Sequence, residues 1–206
     1  MVVRLVDVML SVLAPPRCAA CDERLARDAA FCGACMITLE PPPHLPPGTT
    51  ASFAFGGAIA EAVRRYKFGP RADLARPLGR AIVERLPPPS AVDLVAPVPL
   101  HPRRLRARGF DQATHLARAL ARSLGRPLVL DRLTRVADTP QLARLDAAAR
   151  QRAVASAFRA RDCTGARVLL VDDVRTTGAT LDAAAEAVAA VGGLPLAHVL
   201  AATARE

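Results

Sequence analysis

The stretch VLLVDDVRTTGAT, Val168 to Thr180, constrains the fold more than any other part of the chain. The segment RVLLV, Arg167 to Val171, is short and almost wholly aliphatic, as a strand buried on both faces must be. It runs straight into Asp172 and Asp173, then into a turn of threonines and a glycine, then into an alanine-rich segment with helical composition. Strand, polar turn and helix in that order build an open parallel sheet covered by helices. In such sheets ligands sit beyond the carboxyl ends of the strands.

The polar groups at that strand end divide into two kinds. Backbone N–H groups at a helix start lack partners and carry partial positive charge, so they attract anions. Thr176, Thr177 and Thr180 add hydroxyl donors, Ala179 stands between them, and Gly178 lets a ligand approach the backbone closely. That half suits a phosphate. Asp172 and Asp173 would repel a phosphate but accept short bonds from hydroxyls. A phosphate one sugar away from paired hydroxyls is a ribose 5-phosphate, and the carboxylates would also steady positive charge developing at the anomeric carbon. The nucleotide-binding patterns G-x4-G-K-[ST] and G-x-G-x-x-G are both absent. A receiver domain carries its acid pair near its start and without TTGAT.

Four cysteines form two C-x2-C pairs, Cys18 with Cys21 and Cys32 with Cys35. Four thiolates so spaced can close around one Zn2+ at about 2.3 Å per bond, and a filled set of four marks a structural site. Two disulfides are the alternative, and the chain shows no secretory signal to favour them. A redox C-x-x-C would need one pair only. The segment EPPPHLPPG, Glu40 to Gly48, follows as a stiff linker. It divides residues 1–45, an N-terminal helix and zinc ribbon, from residues 50–206.

Beyond the linker helices are predicted over Gly57–Phe68, Asp73–Leu86, Asp111–Leu124 and Leu181–Val191. Pro77 either kinks the second of these or marks its first turn. Strands are predicted from Val92, at Leu128–Leu130, at Arg167–Val171 and at Leu196–Ala202. Val2, Leu5, Val6, Met9, Leu10 and Leu13 fit one face of an amphipathic helix. Arg4 and Asp7 interrupt that apolar stretch, so it does not read as a secretory signal. No stretch reaches the eighteen apolar residues of a membrane span, and a cytoplasmic location is expected.

Composition narrows the partners. The 206 residues are 51% hydrophobic but only 3% aromatic, so the core must be aliphatic. The formal net charge is +9, and Lys67 is the only lysine. Arginine, alanine and proline abound as they do under a GC-rich bias, which accounts for part of the charge. The remainder suits an anionic partner.

VLLVDDVRTTGAT resembles the phosphoribosyl pyrophosphate (PRPP) signature of type I phosphoribosyltransferases. With the cysteine pairs, YKFG at Tyr66–Gly69, PVPLHPRRLRARGFDQ at Pro97–Gln112 and the segment from Arg150 to Phe158, nearly the whole chain resembles the ComF family, linked to DNA uptake in competence. The resemblance implies an open, mostly parallel α/β sheet flanked by helices, with an N-terminal zinc ribbon. It implies ribose hydroxyls on Asp172 and Asp173 and a 5-phosphate on Thr176, Thr177, Gly178, Ala179 and Thr180. PVPLHPRRLRARGF would be a pyrophosphate-side loop, with Arg103 and Arg108 the expected ligands among its four arginines. Arg135 and Gln141 belong to a flap. Zn2+ and Mg2+ with PRPP are the implied cofactors. Asp111 stands where the family pattern has Asn, and Ala153 and Ser156 replace an Asn and a Gly. The implied functions are Mg-dependent phosphoribosyl transfer from PRPP in a protein of DNA uptake, or an accessory role binding nucleotide, single-stranded DNA and DNA-uptake proteins. Nucleotide salvage or carbohydrate utilisation is a further alternative.

Overall fold

The protein is described from a computed structural model covering residues 16–26, 28–69, 71–87, 91–136 and 157–204. The helix expected over residues 1–14, the flap residue Gln141, and Ala153 and Ser156 lie outside these. Four strands form one parallel sheet: β1 (Thr49–Ala54), β2 (Leu94–Pro97), β5 (Arg167–Arg175) and β6 (Leu194–Ala202), in spatial order β1-β6-β5-β2. Antiparallel β3 (Leu133–Arg135) and β4 (Phe158–Ala160) make a separate pair. The helices are α1 (Gly33–Met36), α2 (Gly57–Phe68), α3 (Ala75–Glu84), α4 (Pro102–Arg108), α5 (Gln112–Leu124) and α6 (Ala179–Ala190).

The period-2 geometry of a strand sorts the core into two layers. Leu169 and Val171 of β5 face a cluster made with Ile59, Val63 and Tyr66 of α2, Leu78 and Ile82 of α3, and Leu116 and Leu120 of α5. Val168 and Leu170 face the other way, onto Leu181, Ala184 and Val188 of α6 and Leu133 and Phe158 of the hairpin. An apolar run of alternating orientation thus serves both faces, as a central parallel strand requires. The first cluster also contains Cys18, Ala19, Ala20, Phe31 and Cys32, so the cysteine knuckles and the sheet share one core.

The structure changes several sequence expectations. β5 does not stop at Val171. Asp172 pairs with Val199, Val174 with Ala201 and Arg175 with Ala202, so the acid pair lies within the strand. Ladder bonds to β6 outweigh the low strand preference of aspartate. Leu128–Leu130 contributes a single bridge, Leu128 to Val95, rather than a strand. The segment expected as a loop at Pro97–Phe110 is largely helix α4, with His101 as N-cap and Gly109 left-handed at its end. Pro102 opens α4 where its missing N–H is harmless. The helix expected over Asp73–Leu86 is a 3-10 turn, Ala72–Leu74, followed by α3 with Pro77 in its first turn. α6 begins two residues before Leu181. Strand β1 and the β3–β4 hairpin were not expected. No helix among the described residues is long and apolar enough to cross a membrane.

One buried polar cluster has a pH consequence. His198 of β6 is fully buried, with its ring nitrogens 2.8 Å from Thr50 Oγ1 and 3.1 Å from Ser52 Oγ of β1. Burial pulls its pKa down to about 4, against a backbone hydrogen bond at Ile82 that raises it. A base with a depressed folded pKa binds fewer protons folded than unfolded, so its stabilisation is present above about pH 6.5 and is lost as pH falls towards 4. The wild-type unfolding midpoint is expected to fall across that window by the equivalent of about 3 kcal/mol. A His198→Gln variant should show a flatter profile. Equal slopes for the two proteins in pH-dependent thermal unfolding would remove the assignment.

Candidate ligand and metal sites

The carboxyl ends of β2 and β5 open into a cavity of about 600 Å³. Asp172 and Asp173 rise from β5, Thr176 from the following turn and Thr180 from the first turn of α6. α4 contributes Arg104 and Arg108, and the start of α5 contributes Gln112 with its N-cap Asp111. The end of α2 supplies Arg64, Lys67 and Phe68, and Arg135 comes from β3. Beside the cavity a hollow of about 40 Å³ is lined by Arg175 through Leu181 together with Asp172, Val174 and Val199.

Three carboxylates face the large cavity, and their environments differ. Asp173 is nearly buried and pairs with Lys67 Nζ at 2.9 Å. Its backbone N–H donates to Asp172 Oδ1 at 2.8 Å. Burial, then repulsion from Asp173, pushes the Asp172 carboxyl well above the usual carboxylate range, although Lys67 pulls the other way. Burial also raises Asp111, against the bonds it accepts from Thr114 Oγ1 at 3.0 Å and Ala113 N–H at 3.1 Å. Asp111 therefore works as the N-cap of α5. Arg108 donates to Gln112 Oε1 at 3.2 Å, and Gln112 Nε2 donates to the Tyr66 carbonyl at 3.3 Å, which ties α4, α5 and α2 together beneath the cavity.

The turn after β5 has the geometry its sequence demands. Gly178 is the N-cap of α6 with φ 88, a conformation costly to any residue with a Cβ. Thr203 Oγ1 donates to the Thr176 carbonyl at 3.2 Å and pins the turn to the end of β6.

Of the residues expected at a ligand site, Asp172, Asp173, Thr176, Thr180 and Arg108 come together on the large cavity. Thr177, Gly178 and Ala179 line the adjoining hollow. Arg103 lies outside both linings with its side chain on the exposed side of α4, and Arg104, one residue on, faces the cavity. A helix separates neighbouring side chains by about 100°, so an arginine run read as a loop gives no means of choosing between them. Arg135 lines the cavity and lies over the Phe158 ring at 5.2 Å. Lys67, Arg64, Phe55, Phe68 and Arg175 were missed. Lys67 carried a signal, as the one lysine in an arginine-rich chain.

The four cysteine sulfurs lie within 4.8 Å of one another. Sulfurs bound tetrahedrally to Zn2+ would lie about 3.8 Å apart, and Cys21 and Cys32 are at 3.7 Å. All four are free thiols rather than disulfides. Burial pushes the Cys18 thiol up, but backbone N–H groups of Cys21, Cys32 and Ala20 outweigh it and bring it to about 7. The cluster could hold a metal ion and fits a small zinc ribbon. α2 anchors it: Arg65 donates to the Ala20 carbonyl at 2.8 Å and pairs with Asp22 at 3.1 Å, and the Ala58 N–H donates to Thr38 Oγ1 at 3.0 Å.

An open parallel sheet with this strand-end turn, and a four-cysteine ribbon packed on it, defines a phosphoribosyltransferase-fold protein with a zinc-ribbon appendage. Residues 110–205 match the phosphoribosyl transferase domain model. The chain is 30% identical over 174 residues to DNA utilization protein YhgH of Salmonella typhi, covering 80% of this chain and 74% of that one. Against DNA utilization protein YhgH of Escherichia coli K12 it is 31% identical over 157 residues, covering 73% and 67%. Competence protein F of Haemophilus influenzae is 29% identical over 180 residues, covering 81% and 76%. Among solved structures, glutamine PRPP amidotransferase from B. subtilis aligns with a TM-score of 0.46 at 21% identity, over 66% of this chain and 30% of that one. Adenine phosphoribosyltransferase from Leishmania donovani aligns with a TM-score of 0.41 at 17% identity, over 77% and 72%. The chain belongs to the ComF family.

Proposed function

We propose that the large cavity binds PRPP and that the protein serves the handling of DNA, the role carried in the names of its relatives. The observation that carries this is the convergence of unlike groups on one cavity: Asp172 and Asp173, Thr176 and Thr180, and Arg104 and Arg108. The threonine turn and the N-terminus of α6 would hold the 5-phosphate. Asp172 and Asp173 would accept from the ribose hydroxyls, and the guanidinium forks of α4 would meet the pyrophosphate. Arg104 takes the place first expected of Arg103. Carboxylate oxygens facing the cavity are hard ligands of the kind Mg2+ favours, and Asp172 is the one free of the Lys67 ion pair. Bound there with PRPP, Mg2+ would neutralise charge on the leaving pyrophosphate.

In the transfer this site could support, a nitrogen acceptor attacks the anomeric carbon as its bond to pyrophosphate breaks. Asp172 and Asp173 would stabilise the positive charge that builds on the sugar. Zn2+ in the cysteine cluster would be structural, since four thiolates leave no open position. Residues 1–45 and 50–206 would then be the metal-bearing and ligand-bearing parts.

A second role, binding single-stranded nucleic acid, draws on one observation. Phe68 is 77% exposed and lines the cavity, as does Phe55, with the Arg108 guanidinium 5.5 Å from the Phe68 ring centre. Exposed rings among arginines are what base stacking requires. Phe31 of the ribbon is buried and cannot serve.

Thermal unfolding tests the first proposal. With Mg2+ and PRPP at about 100 times Kd, binding should stabilise the protein by about 2.7 kcal/mol, roughly 5 to 10 °C at this size. The Asp172→Asn, Asp173→Asn double variant should show no shift. Without ligand, Asp172→Asn alone should raise the midpoint. A carboxyl with a raised folded pKa favours folding only while protonated, and that contribution is lost as pH rises through the raised value. No shift of the wild type at millimolar PRPP would sink the proposal.

A further inference from the structure

Among the described residues, the side chain of Arg175, the last residue of β5, has no partner. It is 2% exposed, yet Nε, Nη1 and Nη2 are all buried without a hydrogen bond. A guanidinium keeps its charge inside a protein, so a buried one without a partner is strongly unfavourable. Its position shows what would complete it. The side chain lies against Gly178, where an added Cβ would come within 2.6 Å of Cζ and 2.9 Å of Nε. It lines the 40 Å³ hollow with Thr176, Thr177, Ala179 and Thr180, at the N-terminus of a twelve-residue helix. Backbone N–H groups, threonine hydroxyls and a guanidinium therefore meet in one small space.

We propose that Arg175 is a phosphate ligand at the base of this hollow and that it makes the site select a terminal phosphomonoester. The inference rests on the proposed function for the identity of the attached sugar, but the unpartnered guanidinium stands independently. A monoester brings two negative charges near neutral pH and one ester arm, which can leave towards Asp172 and the large cavity. An internal phosphodiester brings one charge and two arms, and a hollow of about 40 Å³ gives little room for the second. The shared chemistry is a terminal phosphate on a pentose, whether of a free sugar phosphate or of a 5′-phosphorylated DNA end.

Isothermal titration of the full chain tests it, with wild type, Arg175→Met and Arg175→Lys. The probes are ribose 5-phosphate, PRPP with Mg2+, a 5′-phosphorylated oligothymidylate, its 5′-hydroxyl counterpart and a thymidine dinucleotide joined by one phosphodiester. Arg175→Met should weaken ribose 5-phosphate about tenfold to a hundredfold, the range of a hydrogen bond to a charged group. Arg175→Lys should recover part of the loss. Without ligand, Arg175→Met should unfold at a higher temperature than wild type, because an unpartnered charge is gone. The dinucleotide should bind at least tenfold more weakly than ribose 5-phosphate. Tighter binding of the 5′-phosphorylated strand than of its 5′-hydroxyl form would identify DNA ends as one source, and equal binding of the two would leave sugar phosphates. Wild-type affinity in Arg175→Met would overturn the inference while leaving PRPP binding intact. So would a fall in its unliganded midpoint, which would mark Arg175 as a structural strut. A wild type that binds neither PRPP nor ribose 5-phosphate would remove both proposals.

Discussion

Metal removal from the cysteine cluster is expected to lower the unfolding midpoint by at least 6 to 12 °C, the equivalent of about 3 kcal/mol for a chain of this size. Structural zinc sites in isolated finger peptides are worth about 10 to 16 kcal/mol, which bounds the effect from above. The lower bound follows from packing. Cys18 and Ala19 are fully buried, and Phe31 meets Phe53 of β1 edge-on at 6.4 Å. Loosening the knuckles exposes this part of the core that Ile59, Val63 and Tyr66 also occupy. A Cys18→Ser, Cys32→Ser variant should behave like the chelated protein, and elemental analysis should find one zinc per wild-type chain. An unchanged midpoint after verified metal loss would show that the ribbon holds itself together without an ion.

Gly178→Ala should abolish the PRPP-induced shift and weaken ribose 5-phosphate by a hundredfold or more. The new methyl group would point into the buried Arg175 guanidinium and push it from its place beside the turn. At φ 88 the alanine backbone is also strained by about 1 to 2 kcal/mol. The change strikes the turn twice, by displacing the cation and by bending the chain that presents the N–H groups. Its cost to unliganded stability should be modest, about 1 to 3 kcal/mol, so that titration separates lost binding from lost fold. Ligand affinity within threefold of wild type would mean that the turn does not hold the phosphate.

The sheet and its ligand end were legible because two patterns coincide there. RVLLV reads as buried on both faces, and TTGAT reads as a helix start. Strand β1, TTASFA, was missed because small residues give no apolar run. Its pairing of Thr49 to Ala197 through Ala54 to Ala202 is fixed by β6, far away in sequence. α4, PRRLRAR, has no buried residue and so no apolar stripe to announce a helix. The arginines that line the cavity were indistinguishable from solvated ones in so arginine-rich a chain, since burial and the absence of a partner are three-dimensional facts. Arg175 stood in plain view between DDV and TTG, and only its burial with no side-chain hydrogen bond among the described residues sets it apart.

The sharing of α2 has a thermodynamic consequence. Ala58 and Arg65 of this helix hold the knuckles, while Arg64, Lys67 and Phe68 of the same helix line the cavity. An ion in the cluster and an anion in the cavity would thus act on the same rigid helix. Whatever advantage occupancy of one site confers on the other must be returned in equal measure, because coupling free energy has no direction.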